Sequence, residues 1–297
     1  AQGTFTALSG SVLLHIPPQM PRASRRLLTL AALAPLVLAY DEDAWDRVLR
    51  AHVAPGHLEG VPTNVVDYTA VAKDSDFHAF VGSLEAADVA SLGKNQTYAL
   101  FMNAYNALAV KMVTDHACRH DLIGRCEGPI ASIRDVGKAV SVWDKPAGKI
   151  GGKVYSLQQV EDFLRDPGSL GEDSRLHACI VCASISCPNL RPEAFRAHSI
   201  DRQMAAQMTD MLSNPKKGMK LDRSAGVVTL SMIFKWYAED FEKSAGSVLD
   251  FVLPYVPSAS DRAYIAAHKA SLRIEHFDYD WDANGRPPCH CVEVTRV

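Results

Sequence analysis

The sequence lacks several features that would place it in a common functional class. Its formal net charge is only -3 over 297 residues, so charge gives no argument for binding nucleic acid or an anionic membrane surface. It contains no Gly-rich phosphate loop, no internal repeat and no regular alternation of strands and helices. With 47% hydrophobic and 22% charged residues, the composition is that of an ordinary globular protein with a sizeable core.

Helical and extended patterns are mixed along the chain without a repeating unit. An uncharged segment, residues 95–110, predicts a helix buried on most of its sides. Gly151-Gly152 predicts a hairpin, and Ser156 is expected to cap the helix that follows. Residues 175–182 are expected to form a buried strand. The pattern predicts a single α+β domain, with helices around a small, largely antiparallel sheet, and the fold is compared with papain-like or transglutaminase-like domains.

The amino-terminal part resembles an export signal. Arg22, Arg25 and Arg26 precede a short apolar run, Leu27 to Ala39, which ends in a small-residue pattern typical of signal peptidase sites. The run is shorter than a typical membrane span, although an amphipathic helix or a retained anchor is the alternative. We therefore expect a periplasmic or secreted protein with no membrane association after signal removal. The expected organisation is a non-native or misannotated leader at 1–19, a signal peptide at 20–39, the domain at 40–285 and a tail at 286–297.

Export would permit disulfides, and the chain has seven cysteines. Cys118 and Cys126 flank a polar segment, so a local disulfide between them is expected. A bond between Cys289 and Cys291 would be strained, because only one residue separates them, and each is expected to pair elsewhere or stay free.

The stretch 175–190, RLHACIVCASISCPNL, has the highest density of reactive side chains in the chain. On a strand, Cys179 and Cys182 would point to opposite faces, which argues against a thioredoxin-like pair and against a zinc site. Cys182 and Cys187 flank a loop short enough for a disulfide. Alternatively, one of them is a nucleophile and His177 takes its proton.

Two asparagines in the uncharged helix also need an explanation. Asn103 and Asn106 stand three residues apart and project from the same side of the helix. A buried carboxamide without a hydrogen-bond partner costs about 1–3 kcal/mol, so both must meet polar groups. They either hold a neighbouring loop or strand in place or take part directly in a site.

Several stretches together resemble the domain-of-unknown-function 547 family. The matching stretches run in the family's order and cover most of the chain from Leu100 to Trp281. They are NAYNALAV (103–110), SIRDVG (132–137), GKVYSLQQVE (152–161), RLHACIVCASISCPNL (175–190), LSMIFKWYAEDF (230–241) and DYDW (278–281). Some eukaryotic relatives carry this domain beside glutaredoxin-like or coiled-coil segments, which hints at thiol chemistry or scaffolding.

The resemblance implies a set of motif residues in this chain. The set is Asn103, Asn106, Arg134, Asp135, Glu161, His177, Cys182, Ser184 and Cys187. Two departures stand out: Asp162 occupies a position where the family often has histidine, and Cys179 replaces a small apolar residue. The first departure weakens any mechanism that needs a second histidine.

Two classes of function follow. The first is a thiol-dependent hydrolase or acyl transferase in which Cys182 or Cys187 attacks a carbonyl and His177 is the base. Asn103, Asn106 or Glu161 would orient the imidazole or hold the oxyanion.

The second class is a non-catalytic exported binding or interaction domain with a structural Cys182–Cys187 disulfide.

If the protein is an enzyme, Arg134, Asp135 and Ser184 are expected to bind the substrate, which would be a small molecule, a peptide or an acyl compound. Neither a cofactor nor a metal ion is expected.

Overall fold

The computed structural model describes residues 40–121, 123–137, 140–166, 170 and 173–290. The segments expected to be a leader and a signal peptide lie outside these residues, and so does the tail from position 291, including Cys291.

The described part of the chain is an α+β domain, as the sequence predicts. Its helices are α1 (Glu42–His52), α2 (Tyr68–Val71), α3 (Ser75–Glu85), α4 (Lys94–Asp115), α5 (Leu157–Arg165), α6 (Ile200–Ser213), α7 (Ile233–Trp236), α8 (Ala238–Ala245), α9 (Val248–Val252) and α10 (Ala259–His268). Its strands are β1 (Val53–Leu58), β2 (Val61–Val66), β3 (Cys118–His120), β4 (Cys126–Pro129), β5 (Pro146–Ile150), β6 (Lys153–Ser156), β7 (Met219–Asp222), β8 (Val227–Leu230) and β9 (Arg273–His276).

The strands form small separate sheets and not one central sheet. β1–β2, β3–β4 and β5–β6 are antiparallel hairpins, while β7, β8 and β9 form a three-stranded sheet in which β8 and β9 are parallel. The predicted hairpin at Gly151-Gly152 is confirmed, because both residues have positive φ, +56° and +76°, which glycine adopts without strain. The Ser156 hydroxyl accepts a hydrogen bond from the Gln159 backbone N–H, 3.2 Å away, and so caps α5.

The long helix α4 passes through the main core. It is buried without interruption from Thr97 to Val110, as its uncharged sequence predicts. It contacts α1, α2, α3, α5, α6 and β5. Among the residues that the structure describes, no helix is both long enough and apolar enough to cross a membrane.

A second hydrophobic cluster lies on the carboxyl-terminal side of the chain. It joins residues of α6 through α10 with the β7–β8 pair, and the methionines Met208 and Met211 belong to it. The half-buried ring of Tyr279 packs against both clusters. The stretch around Tyr279 therefore marks the junction between the two parts of the core.

The expected strand at 175–182 is wrong. Residues Ser174–Ala178 form a 3₁₀ turn capped by Asp173, and the segment that follows has no regular structure. The Asn106 carboxamide donates a hydrogen bond to the Cys179 carbonyl at 2.9 Å and accepts one from the Val181 N–H at 2.8 Å. In a sheet, a neighbouring strand would bind these two backbone groups. The apolar residues are buried here because the segment crosses the core, and not because it belongs to a sheet.

The expected disulfide between Cys118 and Cys126 is also wrong. Cys118 pairs with Cys289, 171 residues away in sequence, and this bond ties β3 to the carboxyl-terminal segment. The local separation of Cys118 and Cys126 gave no indication of this long-range contact. The Cys182–Cys187 disulfide is present, and Cys179 is a buried free thiol.

The Asn106 contacts lead to a stability prediction. Asn106→Ala leaves two backbone groups buried without a partner, so we expect unfolding free energy to fall by about 1–3 kcal/mol. Urea unfolding of the full chain measures it, with the exposed Asn95→Ala in the same helix as the control. Equal losses in the two variants would contradict this role for Asn106.

Candidate functional site

A pocket of about 150 Å³ that opens to solvent lies beside the Cys182–Cys187 disulfide. Both cysteines line it, together with His177 and Glu161. Its aromatic wall is made of three tryptophans and three tyrosines: Trp143, Trp236, Trp281, Tyr105, Tyr237 and Tyr279. A concave, largely aromatic pocket with a few polar groups directed into it is typical of ligand sites.

The loop between the two cysteines is held by the carboxyl-terminal segment. Ile185 donates its backbone N–H to the Asp282 carbonyl at 2.8 Å, and Asn284 donates to the Ala183 carbonyl at 3.0 Å. Ala183 has a φ of +61°, a left-handed conformation that costs a residue with a side chain about 1–2 kcal/mol. These contacts hold the loop in a shape that it would not favour in isolation.

The sulfur of Cys187 is surrounded by hydrogen-bond donors. It lies 3.0 Å from the Cys182 backbone nitrogen and 3.1 Å from the Tyr279 hydroxyl. The Ser184 hydroxyl lies 3.3 Å from both sulfurs and the Tyr279 hydroxyl 3.5 Å from that of Cys182, so the backbone N–H is the donor that distinguishes Cys187. Donors at these distances would favour a thiolate on Cys187 if the disulfide were reduced, because hydrogen bonds to a charged form lower its pKa.

His177 is oriented by a carboxylate. Its Nε2 lies 2.8 Å from Asp240 Oδ2, and its ring stacks on Tyr237 with the centroids 3.9 Å apart. Burial lowers the pKa of His177, so the ring is neutral at pH 7 and able to accept a proton. The hydrogen bonds from His177 and Arg165 hold the pKa of Asp240 well below its usual range, which keeps that carboxylate charged.

Glu161 brings a second carboxyl group to the pocket from α5. The side chain is buried, it hydrogen-bonds with Tyr237, and its Oε1 has no hydrogen-bond partner in the structure. Burial raises the pKa of Glu161. A buried oxygen without a partner, directed into a ligand pocket, indicates a place where a ligand or water donates a hydrogen bond.

Residues 89–212 match DUF547, a family of proteins of unknown function. This match supports the resemblance that the sequence motifs indicate. It includes Glu161, His177 and both loop cysteines, and it ends before Tyr237 and Asp240. No curated protein matches the chain, and no solved structure does.

The asparagines of the matched segment, Asn103 and Asn106, do not line the pocket. Asn103 hydrogen-bonds the N–H and the carbonyl of Phe195, both at 2.9 Å, and Asn106 binds the backbone on either side of Ile180. Both carboxamides are therefore committed to holding irregular backbone in place. Of the two roles that the sequence left open, the asparagines hold neighbouring backbone in place. Asn106 thereby positions the pocket without lining it.

The residues expected to bind substrate divide into two groups. Arg134 and Ser184 do not line the pocket themselves but contact residues that do: the Arg134 guanidinium lies 5.0 Å from the ring of Trp281, and the Ser184 hydroxyl lies 3.3 Å from the Cys182 sulfur. Asp135, in contrast, accepts hydrogen bonds from the backbone of Ala131 and Ser132, so it stabilises a turn. Asp162 lies outside the pocket lining and accepts a hydrogen bond from Gln158.

Sequence reasoning missed the acid partner of His177 and the aromatic wall. Asp240, Tyr237 and Trp236 lie in the stretch LSMIFKWYAEDF, and Tyr279 and Trp281 lie in DYDW. Both stretches are among the motifs quoted in the sequence analysis and were the available signal, although they lie beyond the matched residues 89–212. Their residues were not included among the expected site residues.

A second group of sulfurs lies away from this pocket. The Sγ atoms of Cys118, Cys126 and Cys289 lie within 4.8 Å of one another, which within the described ranges is the one set of side chains spaced for a metal ion. Cys118 and Cys289 are already joined as a disulfide, and a disulfide does not offer the thiolate ligands that such an ion needs. The expectation that no metal is bound stays a prediction.

The pKa of Glu161 leads to a prediction about stability and pH. As pH rises above 4.5, the unfolded chain ionises Glu161 before the folded protein does, so folding becomes less favourable. Glu161→Gln keeps the shape of the side chain and removes this effect. We expect the variant to gain stability relative to the natural chain as pH rises from 4.5 towards neutrality.

Denaturant unfolding across that pH range measures the difference between variant and natural chain. Glu242→Gln, at an exposed position of α8, is the control and should show no such trend. A stability difference that does not change with pH would contradict the assignment of a buried, raised-pKa carboxyl to Glu161.

Proposed function

We propose that this protein catalyses thiol-dependent acyl transfer or hydrolysis at the aromatic pocket, and that the Cys182–Cys187 disulfide is its resting form. The observation that carries the proposal is that an oriented histidine, the His177–Asp240 pair, lines the same pocket as the two cysteines. A nucleophile, a base and a group that orients the base are the parts that acyl-transfer sites share.

His177 acts as the base in this proposal. Its Nε2 is committed to Asp240, which leaves Nδ1 as the nitrogen for proton transfer. Asp240 is in turn fixed by two hydrogen bonds from Arg165, at 2.8 and 3.0 Å. The carboxylate therefore orients the ring and stabilises the imidazolium that forms when a proton is taken up.

Cys187 acts as the nucleophile, and Cys182 is its redox partner. The donors around the Cys187 sulfur favour its thiolate, whereas Cys182 is the more exposed of the two. A dithiol reductant first breaks the disulfide, and its own two thiols become a disulfide while Cys182 and Cys187 become thiols. The pair thus protects the nucleophile from further oxidation until reductant is present.

The proposed reaction proceeds through a thioester on Cys187. His177 accepts the Cys187 proton, and the thiolate sulfur bonds to the substrate carbonyl carbon. The leaving group departs with the proton that His177 returns to it, and a thioester remains on Cys187. Water or another acceptor then attacks the thioester carbon while His177 takes its proton. The C–S bond breaks, the acid or acylated acceptor leaves, and His177 returns the proton to the Cys187 sulfur.

The substrate class and the compartment belong to the same proposal. The aromatic wall suits an apolar group of a small molecule, a peptide or an acyl chain, and Glu161 would accept a hydrogen bond from it. Disulfides are compatible with an oxidising compartment, and the basic and apolar amino-terminal segment supports export to the periplasm or the exterior.

A non-catalytic binding domain is the second candidate. It is favoured by the closed disulfide and by Trp236, which stays 45% exposed at the pocket although it is a large apolar ring. In that case the disulfide only shapes the pocket, and His177 belongs to a polar network around it.

Two cysteine variants separate these functions. Cys182→Ser cannot form the disulfide, so we expect it to hydrolyse p-nitrophenyl esters without any reductant. The natural chain should need a dithiol for the same activity, and Cys187→Ser should have less than about 1% of it under both conditions.

The rate of iodoacetamide labelling, followed against pH, supplies a readout that needs no substrate. Cys187 in the Cys182→Ser variant should stay reactive well below pH 8.5, the ordinary range of a thiol, and His177→Ala should reduce this reactivity. Cys179→Ser, at the buried free thiol, is the matched control. Ordinary labelling of Cys187 and no ester turnover in any variant would favour the binding domain.

A further inference from the structure

A buried lysine lies next to the disulfide loop, and the proposed reaction does not use it. Lys217 is 4% exposed, and its Nζ donates hydrogen bonds to the Thr63 hydroxyl at 2.8 Å and to the Ile185 carbonyl at 2.9 Å. Both acceptors are neutral, so the ammonium group is buried without a carboxylate bound directly to it. Burial of a charge without an oppositely charged partner is costly in free energy, so the position of Lys217 needs an explanation.

The backbone next to Lys217 packs closely against the end of α6. Lys217 lies in a turn between α6 and β7, and the next residue is Gly218. A Cβ on Gly218 would lie 1.7 Å from the Met211 carbonyl oxygen, so only glycine fits there. This contact fixes the turn against the end of α6 and thereby fixes where the lysine side chain begins.

Ile185 lies between the two cysteines of the disulfide. The other backbone contacts of this loop come from the 280–284 segment, through Asp280, Asp282 and Asn284. Lys217 holds the loop from a different part of the chain, and it binds the carbonyl of the same residue whose N–H the 280–284 segment binds. With Ala183 held in a left-handed conformation, release of either contact favours opening of the loop.

We propose that Lys217 is a positioning residue for the Cys182–Cys187 pair: by holding the Ile185 carbonyl it keeps the loop closed and limits access of reductants to the disulfide. This inference rests on the proposed function, because it concerns the step that activates the thiol. Lys217 does not touch substrate in this scheme. It controls how readily the resting form is reduced.

The charge of Lys217 gives this control a dependence on pH. Burial lowers the pKa of Lys217 from 10.5 to about 8, and Asp210 on α6 opposes the shift. Asp210 accepts a hydrogen bond from Asn189 at 2.9 Å, and Lys216, beside Lys217 in the turn, is exposed. The Thr63 hydroxyl and the Ile185 carbonyl that accept from the ammonium are uncharged, and the 280–284 segment that binds the loop carries Asp280 and Asp282.

The sign of the pH effect follows from linkage. Opening of the loop exposes Lys217 to water, where it binds a proton more tightly than in the closed state. Between about pH 8 and about pH 10.5 the open state therefore holds more protons, and opening becomes less favourable as pH rises, by up to about tenfold per unit. Below that window the effect levels off.

The test measures reduction of each disulfide in the full-length chain by a water-soluble phosphine. The phosphine is oxidised to its oxide with oxygen from water, and the S–S bond is converted to two cysteine thiols. Differential alkylation and mass spectrometry then follow Cys182–Cys187, with Cys118–Cys289 as the internal reference for reagent strength and global unfolding.

At about pH 10, where Lys217 is uncharged in the closed state, Lys217→Met should speed reduction of Cys182–Cys187 about tenfold relative to the reference disulfide, since the hydrogen bond that holds the Ile185 carbonyl is lost. It should also abolish the slowing of reduction between about pH 8 and about pH 10 that the natural chain shows. Lys216→Met, an exposed neighbour, should change neither quantity.

Thr63→Val is the second variant, for the case that Lys217→Met does not fold. It keeps the ammonium and removes one of its acceptors, so a smaller acceleration in the same direction is expected. Equal acceleration of both disulfides, or a pH profile of reduction in Lys217→Met that matches that of the natural chain, would overturn the role of Lys217. Failure of the proposed function would appear separately, as absent ester turnover by Cys182→Ser with the reduction results intact.

Discussion

The pocket depends on a single buried carboxamide. Asn106 lies on a helix whose surroundings are almost entirely apolar, so its amide has few polar groups to bind, and it binds the backbone on both sides of Ile180. These two hydrogen bonds replace those that a neighbouring strand would make to the same backbone groups in a sheet. They fix the chain between His177 and Cys182, and so set the spacing of the histidine and the sulfurs.

Asn103 repeats the arrangement one helical turn earlier, at Phe195. Two asparagines on one face of α4 thus hold two separate irregular segments against the core. Irregular backbone is costly to bury because its polar groups lack regular partners, and the carboxamides supply those partners from within the helix. A helix that carries both apolar surface and such amides can serve as the frame of a site without contributing catalytic groups to it.

The sequence was sufficient where local rules decide the structure. An uncharged segment predicted α4, two glycines predicted the hairpin and a serine predicted the start of α5. The prediction failed at 175–182, where valine, isoleucine and cysteine have the composition of a buried strand. Burial was correct and the strand was not, since the partner of this backbone is a side chain from another element, which hydrophobic periodicity does not reveal.

The same limit applies to the candidate site. His177, Glu161 and the two loop cysteines were expected from their motifs, and the structure places all of them at one pocket. Asp240 lies 63 residues from His177, and Cys289 lies 171 residues from Cys118, so neither contact follows from spacing along the chain. Contacts of this range depend on how the two core clusters meet.

The junction at Tyr279 has a consequence for the order of assembly. The cysteine pair leaves the ribosome long before residues 278–284, which supply the tyrosine beside the sulfurs and the backbone partners of their loop. During synthesis the sulfurs are therefore uncovered, and Cys179 is near enough in sequence to compete for a wrong pairing. Tyr279 follows Cys187 by 92 residues, so the native pair is enclosed only after that length of chain has been made.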